Sequence, residues 1–120
     1  MNKKQYVTRI KKATKEIGTY QKSFDQVIDA LATILEERDR IHEQYTAEGS
    51  EPLVDFVTDR GQHNRKPNPL LKEWNELNGT ALTYWRDLGL TPAGLKKIND
   101  EALKERKVTS LDSILSSLES

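Results

Sequence analysis

His42 and His63 are the only imidazoles in the chain, and no cysteine accompanies them. Thiolate zinc sites and disulfide frameworks are therefore excluded. A histidine-based metal or nucleophile site needs convergent partners. His42 has Asp39 and Glu43 nearby on a helix, but no second histidine or carboxylate sits at a specific metal-motif offset. The plainer account of that trio is a solvated acidic face. His63-Asn64 matches part of a nuclease His-Asn-His set, but no histidine follows position 63 to complete it. No glycine-rich run precedes a Lys-Ser or Lys-Thr pair, so a phosphate-cradling ATPase loop is excluded as well. The carboxylates are plentiful but scattered. A binding protein is expected, with no catalytic residues, no metal and no cofactor.

The groups left with chemistry to offer are cations. The net charge is zero, but it is an average over segregated runs. Residues 1–22 hold seven bases (Lys3, Lys4, Arg9, Lys11, Lys12, Lys15 and Lys22) against one acid, Glu16, a net of +6. Residues 23–59 hold ten acids against Arg38 and Arg40, a net of −8. Residues 60–72 add Arg60, Arg65, Lys66 and Lys72 with no acid, a net of +4. Lysines along an amphipathic helix neutralise phosphates and release counterions. The N-terminal seven, with Arg60, Arg65 and Lys66, are thus the expected contacts for an anionic partner, and charge alone does not tell DNA from RNA or from an acidic protein. The competing account is that solvated helix faces simply differ in sign.

Helical periodicity must position these cations. Tyr6, Val7, Ile10, Ala13 and Ile17 recur at three- and four-residue steps, which predicts a helix over 3–17 that Gly18 stops. Phe24, Val27, Ile28, Leu31, Ile34, Leu35, Ile41 and Tyr45 predict a long helix over 22–47, with Ser23 as N-cap and Arg38 at one core-like position. Gly49, Ser50, Pro52, Gly61 and Pro67 break the pattern. Leu53–Val57 reads as a short strand or merely extended, and Asp59–Pro67 as an exposed polar loop. Asn68-Pro69 opens the next helix, with Leu70, Trp74, Leu77, Ala81, Tyr84, Trp85 and Leu88 as its stripe. Gly79 within it suggests close approach by another helix. Gly89 ends it, and Thr91-Pro92 starts a further helix with a weak apolar face at Leu95, Ile98 and Ala102. Leu111, Ile114, Leu115 and Leu118 form an apolar strip in a tail over 108–120, expected to dock on a partner protein.

Hydrophobic residues are 35% of the chain and charged residues 32%, so the core is thin for 120 residues. Such a chain is expected to have disordered ends and to bury surface against copies of itself. No apolar run reaches the ~18 residues of a membrane span, and no apolar stretch follows the charged N-terminus as in a secretory signal. The expected fold is all-α: a helical hairpin or bundle with a long central helix and a short extended loop, assembling as an oligomer. Three segments are expected: a basic helix over 1–17, a helical core over 18–107, and the tail.

The stretches Gly18-Thr19-Tyr20 followed by Phe24, Leu35-Glu36-Glu37-Arg38-Asp39, Thr58-Asp59-Arg60-Gly61 and Asn68-Pro69-Leu70 occur in that order. After them comes the longest, Tyr84-Trp85-Arg86-Asp87-Leu88-Gly89-Leu90-Thr91-Pro92-Ala93-Gly94-Leu95-Lys96-Lys97-Ile98. With these the chain resembles the phage terminase small subunit family, in the form found in phages and prophages of Gram-positive bacteria. The resemblance runs from Gly18 to about Asn99, leaving the basic helix and the tail largely outside. It implies a homo-oligomer, usually a ring, in the host bacterial cytoplasm. That oligomer recognises the packaging site on double-stranded viral DNA and delivers it to the large subunit, which carries the ATPase and nuclease. The family has no catalytic motif to transfer, and its DNA-contacting residues are not fixed by the matched stretches, so the assignment of the cations to DNA rests on charge alone. The alternative is a helical protein–protein adaptor or antitoxin-like binder with no nucleic acid role.

Overall fold

The computed structural model describes the backbone of residues 1–119, with side chains described through Lys104 and at Leu115. The elements are α1 (Lys3–Glu16), a 3-10 turn (Lys22–Phe24), α2 (Asp25–Ala47), β1 (Leu53–Val57), β2 (His63–Pro67), α3 (Pro69–Asp87) and α4 (Pro92–Glu119). The chain is mostly helical but not all-α, because β1 and β2 pair as an antiparallel hairpin.

Local chemistry sets most helix ends. Asn2 caps α1 through a reciprocal box: its Oδ1 accepts from the Gln5 amide at 2.9 Å, and its own amide donates to Gln5 Oε1 at 3.0 Å. At the other end Gly18, at φ +76°, lets the Gly18 amide reach the Lys15 carbonyl and the Thr19 amide the Thr14 carbonyl. α3 opens on Asn68, whose Oδ1 accepts from Leu70 at 3.0 Å, and closes at Gly89 in the same way as α1. Ser23 does not cap α2. The helix instead grows out of the 3-10 turn, and its N-cap position, Phe24, makes no side-chain cap bond. Thr91 caps α4, its Oγ1 accepting from the Gly94 amide at 3.1 Å.

α1 and α3 both run antiparallel to α2. Lys3 meets Asp29 and Glu36 while Lys11 meets Asp25. Arg38 meets Asn78, while the Leu88 carbonyl accepts from Thr19, just before the start of α2. The seam buries Ile10 from α1, Ile28, Leu31, Ala32 and Leu35 from α2, Ala81 from α3, and Leu88 just after it. At ~1.5–3 kcal/mol for each large aliphatic side chain, this is a small store of burial energy for the chain length. Gly79 is not a point of close approach, since a Cβ there meets nothing within 4 Å. The close approach is at Gly94, where a Cβ would lie 2.1 Å from the Arg86 carbonyl oxygen. That contact seats the first turn of α4 on the end of α3.

The hairpin projects from the far end of the α2–α3 pair, and its strands pack chiefly on each other. Asp59-Arg60-Gly61 forms its loop, with Gly61 at φ +80° and the Thr58 amide bonded to the Gln62 carbonyl at 2.8 Å. Its base is clasped by buried Asn68. The Asn68 amide donates to the Pro52 carbonyl and its Nδ2 to the Glu51 carbonyl, both at 2.9 Å. The Cα radius of gyration is 22.5 Å, against ~14 Å for a compact domain of this length, and the long axis measures 85 Å.

Candidate nucleic-acid interface

α1 buries Ile10 and Thr14 and half-buries Tyr6, and it turns Lys4, Arg9, Lys12 and Lys15 outward. Lys4, Lys11 and Lys15 are spaced seven and four residues apart with Thr8 between them, and so form one row along the helix; Lys12 flanks it. The cations are not equally free. Lys3 Nζ lies 3.1 Å from Asp29, Lys11 Nζ 3.7 Å from Asp25, and Lys15 Nζ sits 5.0 Å above the Tyr20 ring. Lys4, Arg9, Lys12 and Lys22 are exposed and have no carboxylate within ion-pair distance among the described residues. Part of the charge segregation seen in the sequence is therefore a helix–helix seam, in which α1 bases meet α2 acids. Exposed pairs of this kind contribute ~0–1 kcal/mol each.

The second cationic group sits on the hairpin. Arg60 is in the loop, Arg65 Nε lies 3.5 Å from Asp55, and Lys66 Nζ is 5.3 Å from the centre of the Phe56 ring. The two groups do not converge in one protomer. The N-terminal end of α1 lies level with Asp39, and α2 runs on for ~12 Å to Ala47 before the hairpin begins, with Lys15 farther away still. Of the apolar tail residues, Leu115 is 56% exposed; Leu111, Ile114 and Leu118 lie outside the described side chains.

One polar cluster was not legible in the sequence beyond the core-like place of Arg38. Arg38 Nη2 donates to Asp39 at 3.0 Å and Nη1 to Asn78 at 3.3 Å, while the Tyr6 hydroxyl donates to Asp39. The N-terminal amine lies 4.0 Å from the same carboxylate. Burial works against the Asp39 charge, but the Tyr6 and Arg38 hydrogen bonds and the neighbouring positive charges outweigh it and hold the pKa below the ordinary carboxylate value. Burial and the Asp39 bond push the Tyr6 phenol up. The cluster ties α1, α2 and α3 together. Beside it His42 packs 5.3 Å from Trp74, centroid to centroid, and His63 stands across the hairpin from Val57. Among the described residues no three His, Cys, Asp or Glu side chains are grouped to hold a metal, and no helix is long and apolar enough to cross a membrane.

A family model described as phage terminase, small subunit, matches residues 3–105. The chain belongs to the phage terminase small subunit family. The match reaches farther than the motif stretches between Gly18 and Asn99, and it takes in α1 with its cationic row as well as the hairpin. No curated protein and no solved structure matches the chain. Membership points to a role in phage DNA packaging, in a family that is generally non-catalytic. Residues 106–120 lie beyond the match.

Proposed function

We propose that the chain is the non-enzymatic recognition subunit of a DNA-packaging motor, in a phage or prophage of a Gram-positive host. It acts in the host cytoplasm as a homo-oligomeric ring that binds the packaging site on double-stranded viral DNA and passes it to the large subunit. The observation that carries the DNA-binding part is the group of exposed bases Lys4, Lys12 and Lys15, with half-buried Lys11 among them, on a helix inside the family match. A group of this kind tracks phosphates and positions DNA without reading its sequence. In an oligomer the group is repeated in every subunit, so weak contacts sum through avidity.

The test is a salt-dependent gel shift. Lys4, Lys12 and Lys15 changed together to Ala should weaken binding to all duplexes. The slope of log K against log salt should fall by about 0.9 for each phosphate that is no longer neutralised. Lys11, engaged with Asp25, should matter less. A triple variant with wild-type affinity and slope removes α1 from the DNA surface. The adaptor reading draws on the zero net charge and on the internal pairing of Lys3 and Lys11. It predicts no shift at any salt concentration.

A further inference from the structure

A two-stranded hairpin is marginal on its own in water. This one stands clear of the helices with Leu53 41% and Val57 59% exposed, yet buried Asn68 holds its base with two hydrogen bonds while a third caps α3. Both outer edges of the sheet are open. The two edges differ in charge: β2 carries Arg65 and Lys66 and ends at Pro67, which closes the edge only at its last residue, whereas β1 carries Leu53, Val54, Phe56 and Val57 around a single charge, Asp55.

The ladder shows which backbone groups face outward. Pro52 with Asn68 and Thr58 with Gln62 are hydrogen-bonded pairs, so by alternation Val54 with Lys66 and Phe56 with Asn64 are too. Leu53, Asp55 and Val57 on one edge, and His63 and Arg65 on the other, therefore turn their N–H and C=O groups away from the hairpin. Two β1 edges paired over their whole length about a twofold axis would set Asp55 against Asp55, and two β2 edges so paired would set Arg65 against Arg65. Like charges directly opposite destabilise a pair. A β1 edge meeting a β2 edge sets Asp55 against Arg65, Leu53 against Pro67 and Val57 against His63, with the outward groups in bonding phase at Asp55 and Val57 and with Pro67, which has no N–H, able only to accept.

We propose that the hairpin is the joint between copies of this chain, the β1 edge of one copy pairing antiparallel with the β2 edge of the next, Asp55 opposite Arg65. The joint rests on the oligomeric part of the proposed function. It uses two different edges, so it is heterologous, and it propagates from copy to copy until the rotation closes it into a ring.

The absence of cysteine allows a direct test in the full chain. In this joint Val54 of one copy and Lys66 of the next form a non-hydrogen-bonded pair with Cα atoms ~4.5 Å apart, within disulfide reach. Val54→Cys and Lys66→Cys chains, mixed under mild oxidation, should give the heterodisulfide in several-fold excess over either homodisulfide. Homodisulfide from either variant alone in equal yield overturns the joint in favour of a twofold contact. An intact oligomer by light scattering with no heterodisulfide places the joint elsewhere, and a monomer refutes it outright. Should a cysteine variant misfold, Asp55→Arg and Arg65→Asp serve instead: each alone should lower the oligomer, and an equal mixture should restore it. A mixture no better than either variant overturns the joint. DNA binding reads out separately. A hairpin-linked oligomer that shifts no DNA sinks the packaging reading and leaves the joint standing.

Discussion

Asn68 joins the two unlike parts of the molecule, because one side chain both caps α3 and clasps the hairpin base. Replacing it with Ala leaves the Leu70 amide and the Glu51 carbonyl without their partners. We expect a loss of ~1–3 kcal/mol, measured as a lower urea midpoint, because a cap and a buried hydrogen bond go together. Asp39 acts differently, through its charge. Its folded-state pKa is depressed, so its contribution is complete above the ordinary carboxylate range and is lost as pH falls through the folded value. Asp39→Asn should therefore be less stable than the parent at neutral pH, and the gap should narrow as pH drops below ~4. A gap that stays constant in denaturant titrations across that range would show that Asp39 acts by shape rather than charge.

At the scale of elements, what the sequence disclosed depended on whether burial left a period. α1, α2 and α3 each press one apolar stripe into a shared seam, so three- and four-residue spacing found them, and Asn68-Pro69 and Gly89 marked ends that depend on local backbone chemistry. β2 left no such trace. His63, Asn64, Arg65, Lys66 and Pro67 are all exposed, and a strand held by its ladder alone shows no alternation of apolar and polar residues. The cationic row on α1 was legible as composition, but the pairing of Lys3 and Lys11 with α2 was not, since it depends on which acids the antiparallel packing brings near. The glycines show the same limit. Gly79 and Gly94 look alike in sequence, yet space around the first is open and the second is pressed on Arg86. Gly79→Ala should raise stability by ~0.5–1 kcal/mol through helix propensity. Gly94→Ala should lower it by ~1–3 kcal/mol by overpacking, because backbone rather than a flexible side chain stands in the way. A fall in the melting temperature of Gly79→Ala would contradict the first assignment, and a rise in that of Gly94→Ala the second.

At the scale of the whole molecule, the outline is extended and the core thin, features that support the proposed assembly. Its three-helix seam lies between two projections: the hairpin at one end and α4 leaving the other, joined to α3 through Gly94. The family match stops at residue 105, within α4, so the last part of that helix is a segment the family model does not require. We propose that this segment docks on the large subunit through the strip Leu111, Ile114, Leu115 and Leu118, as an amphipathic helix docks in a groove. Leu115, 56% exposed, has the accessibility this role needs. Removing residues 108–120 should leave the oligomer and its DNA affinity unchanged by light scattering and gel shift, because α1, the hairpin and the α3–α4 contact all precede the cut. It should abolish stimulation of the large subunit's ATPase. Loss of the oligomer on truncation would assign the strip to contacts between copies, and undiminished stimulation would remove it from the motor interface.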